Sequence, residues 1–329
     1  MVRIAINGFG RIGRTAFKIA FDKGLDVVVV NDLTRAQELG FLLKHDSNYG
    51  TYERDVRVEG NDLVVDGKII RGISERDPDQ LPWKELKIDV VLECTGRFTS
   101  EEDAKKHLDA GAKYVIISAP AKGDVDTLVL GVKDKTSRRM VSNASCTSNC
   151  IIPVMAVLDE AFGIQKAAMS TIHAYTQDQH LHDAPHKDMR RGRSAAENIV
   201  PTSTGAATAT GDVLPSLKGK FDGLAFRVPV PVVSLSDFTV LVKKKVTKDQ
   251  VNAAIKKAAA SPRFKGILMW TEEPLVSSDF KKNPHSSIVD LGLTNVIDGD
   301  LVKVVSWYDN EWGYSSRLVE LAEKLGGKK

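Results

Sequence analysis

Two cysteines and a histidine are the side chains best suited to covalent chemistry. Cys146 and Cys150 sit in the run Ser142-Asn143-Ala144-Ser145-Cys146-Thr147-Ser148-Asn149-Cys150, directly before Ile151-Ile152-Pro153-Val154-Met155. Small polar residues followed by an apolar stretch mark the start of a helix. A thiol at a helix N-terminus has its thiolate favoured by the dipole and by free N–H groups. Ser145 and Thr147 add hydroxyls suited to a phosphate or an oxyanion. The two cysteines share a helix face, but without further His or Cys ligands they make a poor zinc site, so no metal is expected. On residue type alone, buried small hydrophobes are the commoner meaning of such cysteines, and only a base would decide. The nearest attractive base is His173, in Ser170-Thr171-Ile172-His173-Ala174-Tyr175-Thr176, 27 residues after Cys146. That is room for one helix and a return strand. His45, His107, His180, His182, His186 and His285 fall in polar or loop-like stretches. No cysteine near His180 and His182 supports a metal there.

A second constellation is Gly8-Phe9-Gly10-Arg11-Ile12-Gly13, a G-x-G-x-x-G between a predicted strand, Val2–Ile6, and a predicted helix, Arg11–Lys23. The context gives the glycines meaning. Gly8 permits a tight turn, Gly10 lets backbone approach a pyrophosphate, and Gly13 lets helix and strand pack closely. The helix N-terminus then offers N–H groups to phosphates. Asp32, 19 residues beyond Gly13 at the end of the next strand, is placed to accept from ribose hydroxyls and to repel a 2′-phosphate, which favours NAD.

These groups need elements to hold them. Short β-branched runs alternate with helical spacings through the first half: strands at Asp26–Val30, Ile88–Glu93, Tyr114–Ser118 and Thr127–Gly131, a hairpin of Arg54–Glu59 with Leu63–Ile70, and helix Glu101–Ala110 capped by Ser100. This pattern predicts a mostly parallel, doubly covered sheet. After about Cys146 the strands lengthen and alternate (Ala168–Tyr175, Leu224–Val230, Ser236–Val246, Val302–Tyr308), with helices at Lys248–Ala260 and Trp312–Leu325 and a solvated Gly326–Lys329 tail. The fold class read is α/β: a Rossmann-type dinucleotide-binding domain plus an α+β catalytic domain with a mostly antiparallel sheet. At roughly 150 residues per domain, 329 residues allow two. Apolar residues at 42% can build sizeable cores, and 46 Lys+Arg against 43 Asp+Glu leave a net charge of +3. So small a charge gives no global reason to expect nucleic acid or membrane as partner. Three cysteines argue against a disulfide framework and for a reducing compartment. With no signal-like N-terminus and no long apolar run, the expectation is a cytoplasmic protein.

Taken together, the chain resembles phosphorylating glyceraldehyde-3-phosphate dehydrogenases over essentially its whole length. The resemblance is carried by Ile6–Arg14 (INGFGRIGR), Ala144–Cys150 (ASCTSNC), Ser170–Thr176 (STIHAYT), Pro185–Arg193 (PHKDMRRGR), Ser203–Ala207 (STGAA), Ala225–Pro229 (AFRVP) and Trp307–Ser315 (WYDNEWGYS). It implies that Cys146 is the nucleophile, forming a thiohemiacetal and then a thioester that inorganic phosphate cleaves. His173 would raise the thiolate fraction and act as base. One anion site would use Ser145, Thr147, Thr204 and Gly205 with Arg191, the other Thr176 and Arg227. Cofactor contacts implied, besides the three glycines, are Arg11, Ile12, Asp32, Arg76, Thr95, Ser118 and Asn310. The implied domains are 1–145 for NAD, with 311–329 returning to it, and 146–310 for catalysis and oligomerisation as a homotetramer. Gln177–Arg193 would be an interface loop, which accounts for the basic patch of Lys187, Arg190, Arg191 and Arg193 without nucleic acid.

Departures bear on affinity rather than chemistry. Ala184 precedes Pro185 where many NAD-specific members have leucine, leaving some NADP use open. Val230 and Val232 replace the usual Thr and Asn, Lys281–His285 replaces a more acidic or glycine-bearing stretch, and Thr208 stands where lysine is common. The resemblance implies NAD-dependent oxidation of glyceraldehyde 3-phosphate in glycolysis or its reverse. The rivals are an erythrose-4-phosphate dehydrogenase and a NAD-binding regulatory protein with a decayed site.

Overall fold

Strand β1 (Arg3–Asn7) is the pivot of the first sheet. The computed structural model describes residues 1–327, so Lys328 and Lys329 of the expected tail and returning helix lie outside the described residues. After β1 come α1 (Arg11–Asp22), β2 (Asp26–Asn31), α2 (Ala36–Lys44), β3 (Val56–Glu59), β4 (Asp62–Val65), β5 (Lys68–Ile73), β6 (Val90–Glu93), α3 (Glu101–Asp109), β7 (Tyr114–Ile117), β8 (Asp126–Thr127) and β9 (Met140–Ser142). The sheet order is β3-β4-β5-β2-β1-β6-β7-β9-β8. β3, β4 and β5 pair antiparallel, and β5 through β8 pair parallel. The strand order reverses at β1, running to β2 on one side and to β6 on the other. In such a sheet ligands bind beyond the strand carboxyl ends at this switch point, here Asn7 and Glu93. Ile4, Ala5 and Ile6 are fully buried because both faces are covered.

Local chemistry explains several boundaries. Ser100 Oγ accepts from Asp103 N at 3.1 Å and donates to Asp103 Oδ2 at 2.7 Å, closing the start of α3. The sequence carries a second turn signal at Asp66-Gly67 within Leu63–Ile70, and there the chain does turn, with φ of 48° and 79°, so the stretch divides into β4 and β5. The expected strand Thr127–Gly131 shrinks to β8, and Val129 instead bridges Lys133. His107, expected in a polar stretch, is fully buried on the inner face of α3.

The later elements are α4 (Cys146–Phe162), β10 (Ile164–Ala174), β11 (Val200–Ser203), α5 (Ala206–Val213), β12 (Phe221–Val228), β13 (Ser234–Val242), α6 (Lys248–Ala259), β14 (Leu268–Thr271), β15 (Ser287–Asp290), β16 (Asn295–Ile297), β17 (Leu301–Tyr308) and α7 (Trp312–Gly326). The second sheet runs β11-β12-β10-β13-β17-β15-β14, with β16 also on β17. Only β10–β12 and β14–β15 pair parallel; the rest are antiparallel. Helix α4 is buried along almost its whole length, with Ile151, Ile152, Val154, Met155 and Leu158 packed inside. α6 starts with a capping box, Thr247 Oγ1 accepting from Gln250 N at 3.3 Å and Gln250 Oε1 from Thr247 N at 2.9 Å.

Two compact units result: Met1–Leu128 with Lys135–Ala144 and Ser315–Lys329, and Val129–Asp134 with Ser145–Tyr314. Most of α7 thus belongs to the first unit, where a Cβ on Gly326 would stand 2.3 Å from the Val2 side chain. Among the described residues no helix is long and apolar enough to cross a membrane.

Candidate active site

Cys146 is the first residue of α4. The N-cap Ser145 turns its Oγ to the Ser148 N–H at 3.0 Å, which fixes the first turn and leaves the amides of Cys146 and Thr147 directed at the sulfur. β10 returns beside α4 and brings His173 Nε2 to 3.4 Å from Cys146 Sγ. His173 Nδ1 lies 2.6 Å from the Ala174 carbonyl, which can only accept, so Nδ1 carries the hydrogen and Nε2 offers its lone pair to the sulfur. Tyr308 packs edge-on against the imidazole, at 6.0 Å between ring centres. Its hydroxyl lies 3.0 Å from Thr147 Oγ1.

Taken singly, both members of the pair are pushed toward neutrality. Burial raises the Cys146 thiol, opposed by Arg227, the Thr147 hydroxyl and the two amides. Burial, then the Arg227 charge, lowers His173 to about 3. Transfer of one proton from Sγ to Nε2 creates both charges at once in contact, so neither stands unpaired in the interior. Arg227 and the helix start then favour the thiolate. Cys94 and Cys150 lack this setting, and burial pushes each thiol up to about 12.

Anion-binding groups gather around the pair. Arg227 Nη1 donates to Thr176 Oγ1 at 2.7 Å and to the Ala174 carbonyl at 3.3 Å. Its Nε is buried and meets no acceptor among the described residues. Arg191 donates through Nε to Thr202 Oγ1 at 2.8 Å and through Nη2 to the Ser203 carbonyl at 3.4 Å, next to Thr204 and Gly205. Gly205 caps α5 without a side-chain bond of its own, while the Thr204 hydroxyl accepts from the Ala206 N–H at 3.3 Å. Asp178, which sequence reasoning passed over, joins the two sets. It accepts from Arg191 Nη1 at 2.8 Å and from the Thr176 hydroxyl. Burial works to raise its carboxyl, but Thr176, Arg227 and Arg191 outweigh this and hold it below the ordinary range. Arg191, assigned with Thr204 and Gly205, therefore reaches toward Thr176 as well. Tyr308, Thr202 and Asp178 carried no signal of their own, because an isolated Tyr, Thr or Asp in a polar stretch has no diagnostic spacing.

The expected cofactor residues of the first unit converge on the switch point. A cleft of about 310 Å³ is lined by Asn7, Gly8, Gly10, Asp32, Arg76 and Thr95. Gly8 has φ +90°, and a Cβ there would sit 2.6 Å from Thr95 N; a Cβ on Gly13 would sit 2.1 Å from the Gly8 carbonyl. Gly10 caps α1 with no side-chain bond, and a Cβ on it would meet open space. Asp32 is fixed by the N–H groups of Phe9 at 2.7 Å and Thr34 at 2.9 Å. An open helix start, glycine where a phosphate must approach backbone, and an oriented carboxylate fit a dinucleotide. The Arg11 side chain is committed to Asp46 at 2.9 Å, so its backbone is what it offers. Ser118 follows β7, its N–H on the Glu93 carbonyl at 2.9 Å. In the second unit, Asn310 Oδ1 accepts from Ser234 Oγ at 3.1 Å, and Ser234 Oγ accepts from Ala174 N, which steadies the backbone beside His173. No group of three or more potential metal ligands occurs among the described residues.

A dinucleotide-type α/β unit and a unit presenting a cysteine–histidine pair among anion-binding groups define a nucleotide-dependent thiol dehydrogenase. Residues 2–101 match the family model for the glyceraldehyde 3-phosphate dehydrogenase NAD binding domain, and residues 145–310 match that for the C-terminal domain. Glyceraldehyde-3-phosphate dehydrogenases from Borreliella burgdorferi and Geobacillus stearothermophilus are each 54% identical to the chain. These alignments cover 98% and 99% of this chain and 99% of each relative. The Mycobacterium bovis enzyme of the same name is 55% identical over 99% of this chain and 98% of its own. The chain belongs to the glyceraldehyde-3-phosphate dehydrogenase family.

Proposed function

We propose that the chain catalyses NAD-dependent, phosphate-consuming oxidation of D-glyceraldehyde 3-phosphate to 1,3-bisphosphoglycerate, reversibly, as a homotetramer in a reducing cytoplasm. The observation that carries this is Cys146 Sγ at 3.4 Å from His173 Nε2 at the start of α4. Sγ attacks the aldehyde carbon while its proton passes to Nε2 and from there to the aldehyde oxygen, giving a thiohemiacetal and leaving Nε2 free to accept again. The Cys146 amide stabilises the oxygen as it gains charge. Gly8, Gly10, Gly13, the Arg11 and Ile12 amides, Asp32, Arg76 and Thr95 would hold the dinucleotide, which supplies a two-electron hydride acceptor when bound. His173 Nε2 takes the hydroxyl proton as the thiohemiacetal is oxidised, so Sγ then carries a thioester. Phosphate attacks the acyl carbon, the C–S bond breaks, and the sulfur leaves as the thiolate that Arg227 and the helix start favour. Thr176, Arg191 and Arg227, with Thr204 and Gly205 at the α5 N-terminus, supply the cationic, hydroxyl and N–H groups for the substrate phosphate and the attacking phosphate.

The test is a steady-state assay with glyceraldehyde 3-phosphate and erythrose 4-phosphate, each with NAD and NADP, with and without inorganic phosphate. NADH formation from glyceraldehyde 3-phosphate that requires phosphate is expected. Equal or better turnover of erythrose 4-phosphate without phosphate would refute the reading.

A further inference from the structure

Beneath the cofactor cleft of the first unit runs a chain of buried polar side chains that the reaction does not use. Glu93 is 2% exposed, and its carboxylate accepts four hydrogen bonds. Oε2 takes Asn7 Nδ2 at 2.6 Å and His107 Nε2 at 3.1 Å; Oε1 takes the Thr95 N–H at 2.8 Å and the Thr95 hydroxyl. The direction of every bond is fixed from one end. Trp83 Nε1 lies 3.0 Å from His107 Nδ1, and an indole N–H only donates, so Nδ1 is the acceptor and Nε2 carries the hydrogen given to Glu93. Asn7, having turned its amide nitrogen to Glu93, presents Oδ1 to Asn31 Nδ2 at 2.7 Å. Asn31 in turn clasps the Glu75 backbone, Nδ2 to the carbonyl and Oδ1 from the N–H, both at 2.8 Å. The chain thus begins on α3 and ends at Thr95 and Glu75, whose side or backbone atoms line the cleft on either side of Asn7.

We infer that His107 is a positioning residue for cofactor binding: its Nε2–H orients the buried Glu93 carboxylate, and Glu93 holds Thr95 and Asn7 in the geometry the cleft requires. A buried carboxylate whose donors are all neutral has no cation to orient it, so its rotamer is set by hydrogen bonds alone. Removal of one donor frees Oε2 to seek another, and the Thr95 latch on Oε1 loosens with it. Trp83 has a different part, since it fixes the tautomer and contributes packing.

The inference rests on the cleft being the NAD site, and the experiment separates the two. NAD binding to the full-length protein is measured by calorimetry for wild type, His107→Asn and His107→Gln, with thermal unfolding followed in parallel. Asn places its amide near the Nδ1 position and keeps the Trp83 bond but not the Glu93 bond. Gln reaches the Nε2 position and keeps a donor for Glu93. Both lower the unfolding midpoint. Kd for NAD rises about fivefold to tenfold in His107→Asn, the effect of one lost hydrogen bond felt through Glu93, and stays within about twofold of wild type in His107→Gln. Equal affinities in wild type and both variants, or losses that merely follow the drop in stability, overturn the positioning role. Absence of NAD binding by wild type refutes the cofactor assignment instead. Thr95→Val, at the half-buried rim, serves if a His107 variant does not fold. It deletes the hydroxyl latch on Glu93 together with the acceptor of the Arg97 N–H at 3.1 Å, leaves the Thr95 N–H on Oε1, and is expected to raise Kd several-fold; an unchanged Kd overturns the inference.

Discussion

His173→Asn isolates the base from its scaffold. Asn mimics the Nδ1 side of the ring and can keep the bond to the Ala174 carbonyl, but it removes the atom 3.4 Å from Cys146 Sγ. Without a partner to take its proton, the thiol is left with burial pushing it up. A thiol held above its ordinary alkaline range is ionised only to about 1% at neutral pH. Alkylation of Cys146 by iodoacetamide at neutral pH should therefore slow by about a hundredfold, and the midpoint of its rate–pH profile should move upward into the alkaline range. The sign follows from which group is lost: the thiolate is favoured by the imidazolium, so its proton leaves at higher pH once the imidazole is gone. Turnover, which uses the same atom as base twice, should fall about 10²–10⁴-fold. NAD affinity should persist, because the cofactor cleft lies in the first unit. The assay is iodoacetamide inactivation of wild type and variant from about pH 5 to about pH 10. Superimposable profiles would refute the pairing of His173 with Cys146.

Cys146→Ala should abolish NADH formation while calorimetry still detects NAD binding; residual turnover would remove Cys146 as nucleophile. Asp178→Asn withdraws a carboxylate from Arg191 and Thr176, so the KM for phosphate should drop about threefold to tenfold; a rise would show Asp178 to be needed for orientation instead. Iodoacetamide at about pH 8 should label Cys146 alone by peptide mass spectrometry, since burial holds Cys94 and Cys150 near 12; prompt labelling of either would contradict that. Gly13→Ala forces a Cβ to 2.1 Å from the Gly8 carbonyl and should cost about 1–3 kcal/mol of stability with weaker NAD binding; a variant as stable as wild type would mean that the loop yields freely.

What the amino-acid order settles by itself is whatever depends on neighbours in the chain. The glycine loop reads correctly because strand, turn and helix are contiguous and each glycine answers a local steric demand. The start of α3 and of α6 is legible for the same reason: Ser100 with Asp103, and Thr247 with Gln250, cap over three residues. Helix α4 beginning at Cys146 follows from small polar residues giving way to an apolar run. Such readings stop where competition between distant segments begins. Nothing near His107 shows that it is buried, because Trp83 and Glu93, which give it two partners, come from elsewhere in the chain. The same holds for Tyr308, 161 residues from the Thr147 hydroxyl it meets, and for Asp178, whose meaning comes from two arginines on different segments. The strand expected at Thr127–Gly131 failed because Val129 found a bridge at Lys133 instead of a neighbour in the sheet. Local sterics and capping energies are written into short stretches of sequence. The pairing of buried polar groups, each costly unless satisfied, is decided only when the sheet brings them together.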